Sequence, residues 1–473
     1  TQMGLLKEDD YASVNFGDDP TSVDYERIFY ARRPILETAV KNFLANQSLQ
    51  ADFNHFEKNN RLWLDDFAEF MAIKEHFGNQ ALQKWDDKKA VARDPKTLEK
   101  YRTMLADQIQ YFKVTQYFFF KQWSELKNYA NQKGIKIIGD MPIYVAADSV
   151  EVWTKPELFQ LDKERNPLFV AGVPADQFSA TGQLWGNPLY DWEEHKKQGY
   201  AWWIHRIEES FKIYDVLRID HFKGFSDYWQ VDGKADIAKY GSWQPGPGYD
   251  LFKAVKEQLG DLPIIAEDLG NIDDKARKLL ADCNYPGMKI LQFGFEDVSG
   301  KSLDSPHYCI PHSIAYTGTH DNDVTNGWYN SLTAQQQQYI NDYTHRHNDE
   351  SICQAMIRQL FATVNNTAIA TMQDVLDLPA SSRMNVPSTI GGNWQWRMQQ
   401  SDLTQDKKDF LAKMTTLYQR ANQEIPMIKF STFVKNKTNK SLEQLSDKET
   451  YIQLLNYVKT LSADKPKNTG KRK

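Results

Sequence analysis

Six short apolar runs constrain the fold of this chain more than any other feature. They are IKIIGD (135–140), DVLRIDH (215–221), LPIIAED (262–268), MKILQF (288–293), SIAYTGTHD (313–321) and TAIATMQD (367–374). Each is brief and rich in β-branched residues, as a strand buried on both faces must be. Helical patterns lie between several of them. Trp203, Ile207, Phe211 and Tyr214 precede the second run; Leu251, Phe252, Val255 and Leu259 precede the third; Ala276, Leu279 and Leu280 come after it. Strand alternating with helix implies an α/β fold with a parallel sheet. No run leads into GxGxxG or GxxxxGK[ST], which argues against a nucleotide-binding sheet. The runs lead into Asp, Glu or His instead. Polar residues at the carboxyl ends of several parallel strands are the arrangement of a barrel active site. The expected fold is therefore a TIM-type (β/α)8 barrel with helical and loop-rich insertions.

The rest of the chain is organised around these runs. Residues 1–133 read as a mostly helical subdomain with no catalytic pattern. Pro34 suits a first helical residue before PILETAVKNFLA. Leu62, Phe67, Phe70, Met71 and Phe77 recur at helical spacing over 61–78, with Gly78 as the stop. A further long helical stretch covers 97–133 and ends at Gly134. Residues 134–397 form the expected catalytic core, interrupted by a loop-rich excursion over 141–200 with many Pro, Gly, Trp and Asp residues. Residues 398–473 read as C-terminal helices. Phe410, Leu411, Met414, Leu417 and Tyr418 share one face, and Ile452, Leu455 and Val458 another. The tail 465–473, KPKNTGKRK, is expected to be disordered.

Composition narrows the function classes. The chain of 473 residues carries a formal net charge of −6, which offers no attraction to phosphate backbones or anionic membranes. No run of about 18 apolar residues is present to span a bilayer, and the start TQMGLLKEDD does not read as a signal peptide. Cys283, Cys309 and Cys353 include no CxxC pair and read as ordinary thiols in a reducing compartment, so a cytoplasmic location is expected. Aromatic residues reach 13%, and aromatic faces stack on sugar rings as well as in cores.

Asp220, Glu267 and Asp321 each stand just past an apolar run. Glycoside chemistry needs two carboxyl groups facing one anomeric carbon, one attacking it and one protonating the leaving oxygen. A third can hold the sugar ring. Taken singly, such a residue is more often a helix cap or a salt-bridge partner. Their company points further. Arg218 lies two residues before Asp220, so both side chains share a strand face, and a buried guanidinium keeps a neighbouring carboxylate ionised. Glu267 comes after the apolar Pro263–Ala266, a setting that can keep a carboxyl protonated. A barrel metallohydrolase using His221, His320 and the same carboxylates stays open, although neither HxH nor HExxH is present. A non-catalytic sugar-binding protein is a third reading, and it leaves the Arg218–Asp220 pair without a purpose.

The motifs around these residues are specific. GDMPIYVAADSVEVW (139–153), FSATGQLWGNPLYDW (178–192), VLRIDHFKGF (216–225), WQPGPGYDLF (243–252), IIAEDLG (264–270), TGTHDNDVTNGW (317–328) and RMNVPSTIGGNWQWR (383–397) succeed one another in order. Together they resemble the 4-α-glucanotransferases, or amylomaltases, of glycoside hydrolase family 77. The resemblance implies that Asp220 is the nucleophile, Glu267 the general acid/base and Asp321 the transition-state stabiliser. It implies sugar contacts for Arg218, His221 and His320, and places Asp140 in the motif that begins the set. Asp176 and Trp185 fall in a flexible loop over the acceptor side. Asn393 matches a substrate-contacting Asn, or is a turn residue beside Gly391 and Gly392. The implied partners are a maltooligosaccharide donor and a glucan or glucose acceptor, with no metal or organic cofactor. An α-glucosidase or α-amylase-like hydrolase would share the carboxylate trio. Family members carry two further barrel strands before the segment matching GLLKEDD, so the resemblance implies a barrel whose first two strands are absent from this chain.

Overall fold

The computed structural model describes residues 3–175, 180–270 and 272–420. Ten strands are formed: β1 (Ile138–Met141), β2 (Phe169–Val173), β3 (Gln183–Pro188), β4 (Val216–Ile219), β5 (Asp227–Asp232), β6 (Gly241–Pro245), β7 (Ile264–Ala266), β8 (Gly287–Ile290), β9 (Ser313–Tyr316) and β10 (Thr367–Ile369). Six of them coincide with the six apolar runs and pair in parallel. One sheet has the order β1-β4-β7 and another β8-β9-β10. The Ala266 N–H donates to the Pro286 carbonyl at 3.0 Å, so each parallel strand neighbours its successor along the chain. The fold is mixed α/β. The fourth run is strand only to Ile290; Leu291–Glu296 is already helical.

Before the sheet come four longer helices: α1 (Tyr25–Ala45), α2 (Gln50–His76), α3 (Pro95–Met104) and α4 (Ala106–Gln132). Two details differ from the sequence reading. Pro34 lies inside α1 rather than at its start, which is set by Asp24 accepting from the Arg27 N–H at 2.9 Å. Pro34 has no N–H for the preceding turn, but the face carrying Ala39, Val40 and Phe43 is buried and holds the helix in place. The stretch 97–133 is two helices, because Leu105 leaves helical geometry (φ −109°, ψ 22°) with its side chain buried. Pro95 takes the first-turn position there, under an Asp94 cap. An aromatic cluster of Phe43, Phe53, Tyr117 and Phe118 joins α1, α2 and α4, with ring centroids 5.3–5.6 Å apart for Phe43 against the other three. That core is continuous with Leu217 and Ile219 of β4.

Between β1 and β4, and between β4 and β7, the chain makes excursions that meet in one antiparallel sheet of order β3-β2-β5-β6. The region 141–200, expected to be loop-rich, thus contains two strands. Helix α5 (Ala201–Ile213) buries Trp203, Ile204 and Ile207 and returns the chain to β4. Its C-terminal carbonyls are met by α4: Trp123 Nε1 donates to Ile213 O at 2.8 Å and Lys127 Nζ to Tyr214 O at 2.9 Å. A cation at that end suits the helix dipole. Helices α6 (Tyr249–Leu259) and α7 (Asp274–Cys283) make the corresponding returns to β7 and β8. Near the end of this body, Ser22 bridges Trp396, the Val23 N–H donates to Gln395 O at 2.8 Å, and Tyr25 Oη donates to Trp394 O at 2.6 Å. Two compact units divide between Asp402 and Leu403. The described part of the second is α8 (Gln405–Leu417), with Met414 buried. Ile452, Leu455, Val458 and the tail 465–473 lie outside the described residues.

One contact pins β1 to this frame. Gly139 sits opposite Leu217, and a Cβ there would lie 2.0 Å from the Tyr214 ring. Gly139→Ala should cost about 1–3 kcal/mol or more through overpacking, read from urea unfolding. An unchanged midpoint would show that Tyr214 moves aside freely.

Candidate active site

The site grows from strand register. Asp140 of β1 lies opposite Arg218 of β4, and Arg218 opposite Ile265 of β7. Side chains alternate along a strand, so Leu217 and Ile219 point into the core while Arg218 and Asp220 share the other face. One guanidinium nitrogen, Nη1 of Arg218, lies 2.6 and 2.7 Å from the two Asp140 oxygens and 2.9 Å from Asp220 Oδ1. The Arg218 side chain is 9% exposed, the two carboxylates 42% each. A buried cation is therefore neutralised by two groups that still look outward. Although burial opposes the charge, Asp140 and Asp220 raise the pKa of Arg218 above its ordinary value.

Glu267 comes after β7 at the same level. Its N–H donates to Ile219 O at 3.0 Å, which holds it alongside Asp220. Both carboxyl oxygens are fixed by backbone: the His221 N–H donates to Oε2 and the Leu269 N–H to Oε1, each at 2.8 Å. His221 can offer that N–H because it adopts a left-handed conformation (φ 49°) just past β4. Burial, reinforced by the charge of Asp220, pushes the Glu267 carboxyl up to about 7. Arg218 and the two N–H groups pull the other way and do not win. Burial likewise lowers His221 to about 4, so its imidazole is neutral at pH 7.

Asp321 is carried by the turn after β9. Asn322 Oδ1 accepts from the Thr319 N–H at 2.8 Å and from Thr319 Oγ1 at 2.9 Å, which bends the chain so that His320 and Asp321 stand out. His320 Nε2 lies 3.3 Å from Asp321 Oδ2. The other oxygen, Oδ1, accepts from Asn385 Nδ2 at 2.6 Å, and Arg383 Nη2 donates to the Asp321 carbonyl at 2.8 Å. The Trp394 ring lies 5.1 Å from that of His320. Both rings help line a cavity of about 200 Å³, together with Thr319, Thr371 and Met384.

The remaining expected residues divide between contact with this centre and separate roles. Trp185, on β3, sets its ring edge-on to His221 at 4.8 Å and lies 6.3 Å from Tyr144. Asp176 lies outside the described residues. Asn393 behaves as a turn residue: its Oδ1 accepts from the Val386 N–H at 2.9 Å and its Nδ2 donates to Thr389 Oγ1 at 3.0 Å. Among the described residues, the His/Asp/Glu group with metal-ligand spacing is His205, Glu208 and Glu209 on α5, and it includes none of these site residues. Sequence reasoning passed over Asn385, Tyr144 and Trp394. Asn385 stands in the RMNVPS stretch, but nothing in its spacing ties it to Asp321, 64 residues away.

A family model described as 4-alpha-glucanotransferase matches residues 1–404. The 4-alpha-glucanotransferase of Streptococcus pneumoniae is 51% identical over 429 residues, spanning 90% of this chain and 85% of that protein. The one from Clostridium butyricum is 42% identical over 422 residues, 89% and 86% of the respective chains. Among solved structures, the amylomaltase from Streptococcus agalactiae in complex with acarbose superposes with a TM-score of 0.88 at 57% identity, covering 89% of this chain and 85% of that one.

The environment of Glu267 has a consequence for stability. Its folded pKa, about 7, exceeds its ordinary 4.5. The fold thus favours the neutral form. This stabilisation is complete below the unfolded value and is lost as pH rises through the folded one. Glu267→Gln cannot titrate, and its amide faces one of the two N–H donors, so a constant offset is expected as well. Relative to the parent, the variant should gain stability from about pH 4.5 to about pH 7 and level off above. Urea unfolding across that range checks it, and a pH-independent difference would contradict a raised Glu267.

Proposed function

The chain belongs to the 4-alpha-glucanotransferase family and carries that transfer activity, and we propose that it works by retaining double displacement on Asp220, Glu267 and Asp321. In the first step an Asp220 oxygen attacks C1 of a maltooligosaccharide donor. The C1–O4 bond breaks, and Glu267 delivers its proton to the departing O4. In the second step the 4-hydroxyl of an incoming glucan or glucose attacks C1. Glu267 takes the hydroxyl proton, and the bond from C1 to Asp220 breaks. Asp321 holds the sugar ring as positive charge develops at C1. Arg218, with Asp140 behind it, holds Asp220 in its aim. His221, neutral at pH 7, and His320 offer hydrogen-bonding contacts to sugar hydroxyls. No metal or organic cofactor enters the scheme.

The observation that carries this reading is the pairing of an Arg-bound carboxylate, Asp220, with a recessed carboxyl held at about 7, Glu267, on adjacent strand ends. A nucleophile needs a fixed aim and an acid needs its proton: Asp220 is bound to a guanidinium, and burial favours the proton on Glu267. The cycle also tunes itself. Esterified Asp220 has lost the charge that helps to raise Glu267, so Glu267, having given up its proton, stays ionised more readily until it acts as a base. The neighbour-to-neighbour order of the six parallel strands supports a (β/α)8 barrel, with the helices over 1–133 as an insertion and the core over 134–397. Trp185, packed on His221, suits a lid over 171–192 that admits sugar in preference to water. A cytoplasmic location fits the described helices, none of which is long and apolar enough to cross a membrane.

Maltotriose should yield a ladder of longer glucans; glucose and maltose alone would mean hydrolysis. Asp220→Asn should lower turnover by on the order of 10³-fold or more, and retained activity would overturn the assignment. Trp185→Ala should shift product from transfer toward hydrolysis, measured as free glucose released per bond transferred. An unchanged ratio would remove Trp185 from the lid.

A further inference from the structure

We infer that Asn385 is a positioning residue that sets the rotamer of the Asp321 carboxylate; this rests on Asp321 being the stabiliser. Asn385 Nδ2 donates to Asp321 Oδ1 at 2.6 Å, and this leaves Oδ2, 3.3 Å from His320 Nε2, as the oxygen free to meet a sugar hydroxyl. The backbone holds the donor in place independently. The Asn385 N–H donates to His320 O at 3.1 Å, Arg383 Nε donates to Asn385 O at 2.8 Å, and Arg383 Nη2 donates to Asp321 O at 2.8 Å. The segment 383–385 thus grips the His320–Asp321 unit by its main chain and orients its carboxylate with one amide. Asp321 sits on a turn past β9, where no neighbouring strand fixes its side chain, so the orientation must come from outside the sheet. Asn385 itself acts through Asp321.

The main-chain grip survives replacement of the side chain, so variants at 385 should fold. Asn385→Ala should lower kcat by on the order of 10²-fold, the cost of about 1 Å of misplacement, with KM within about twofold of the parent because ground-state contacts persist. Asn385→Asp preserves shape but sets two carboxylates face to face. Such a pair shares a proton, so the activity of Asn385→Asp relative to the parent should climb as pH falls from about 7 to about 5, the proton restoring a donor. A purely structural role would leave that ratio flat. Asp321→Asn is measured alongside. If it retains full activity, the role given to Asp321 falls and this inference with it. If it is inactive while Asn385→Ala keeps kcat within about twofold, or the Asn385→Asp ratio does not change with pH, Asn385 alone is misassigned.

Discussion

The Arg218 guanidinium is the point on which the rest of the site depends. It lies almost wholly within the sheet, and an unbalanced charge there would cost several kcal/mol. Asp140 and Asp220 balance it, and they can do so only if β1 lies beside β4 with Asp140 level with Arg218. A slip of one residue would turn Asp140 away and leave the cation alone. The same requirement that fixes register therefore places Asp220, the proposed nucleophile. Gly139, one residue earlier, permits the close approach by leaving room for the Tyr214 ring.

From that cation the electrostatics change across a single strand spacing. Asp220 is tied to Arg218. Glu267, one strand further, is recessed and faces the charge of Asp220, so it favours its proton even with two N–H donors pointed at it. The backbone groups do not decide its protonation; they decide its aim. His221 contributes to both, through its N–H on Glu267 and its ring against Trp185. The left-handed backbone at His221 is what lets one residue face in both directions.

Much of this was legible in the sequence, and the reasons for the exceptions are physical. The six parallel strands announced themselves as short apolar runs rich in β-branched residues, even where, as in β1, one face stays open. Asp220, Glu267 and Asp321 stood out because each comes just past one of these apolar runs. The antiparallel sheet was hidden: β2, β3, β5 and β6 between them carry Trp, Gly, Gln and Pro, and the pairing of β2 with β5, which joins the two hairpins into one sheet, links Phe169 to Asp232. Pro34 misled because a proline marks a first turn only when no capped turn already precedes it, and Asp24 supplies one. Leu105 broke a pattern that periodicity alone reads as continuous. Asn385 was invisible for a different reason, since a hydrogen bond across 64 residues leaves no trace in local spacing.

The pairing of residues 21–25 with 394–397 sets an order on biosynthesis. The segment that grips Asp321 is continuous with a stretch whose partner lies some 370 residues upstream, near the start of the chain. On the ribosome, residues 21–25, the early helices and the strands bearing Asp220 and Glu267 all emerge long before residues 394–397 do. Contacts of such sequence separation form late and slow folding. Asp220 and Glu267, the proposed nucleophile and acid/base, can thus be brought together while Asp321 still awaits synthesis of residues 383–385. A nascent chain stalled before residue 383 would lack the grip on Asp321 altogether.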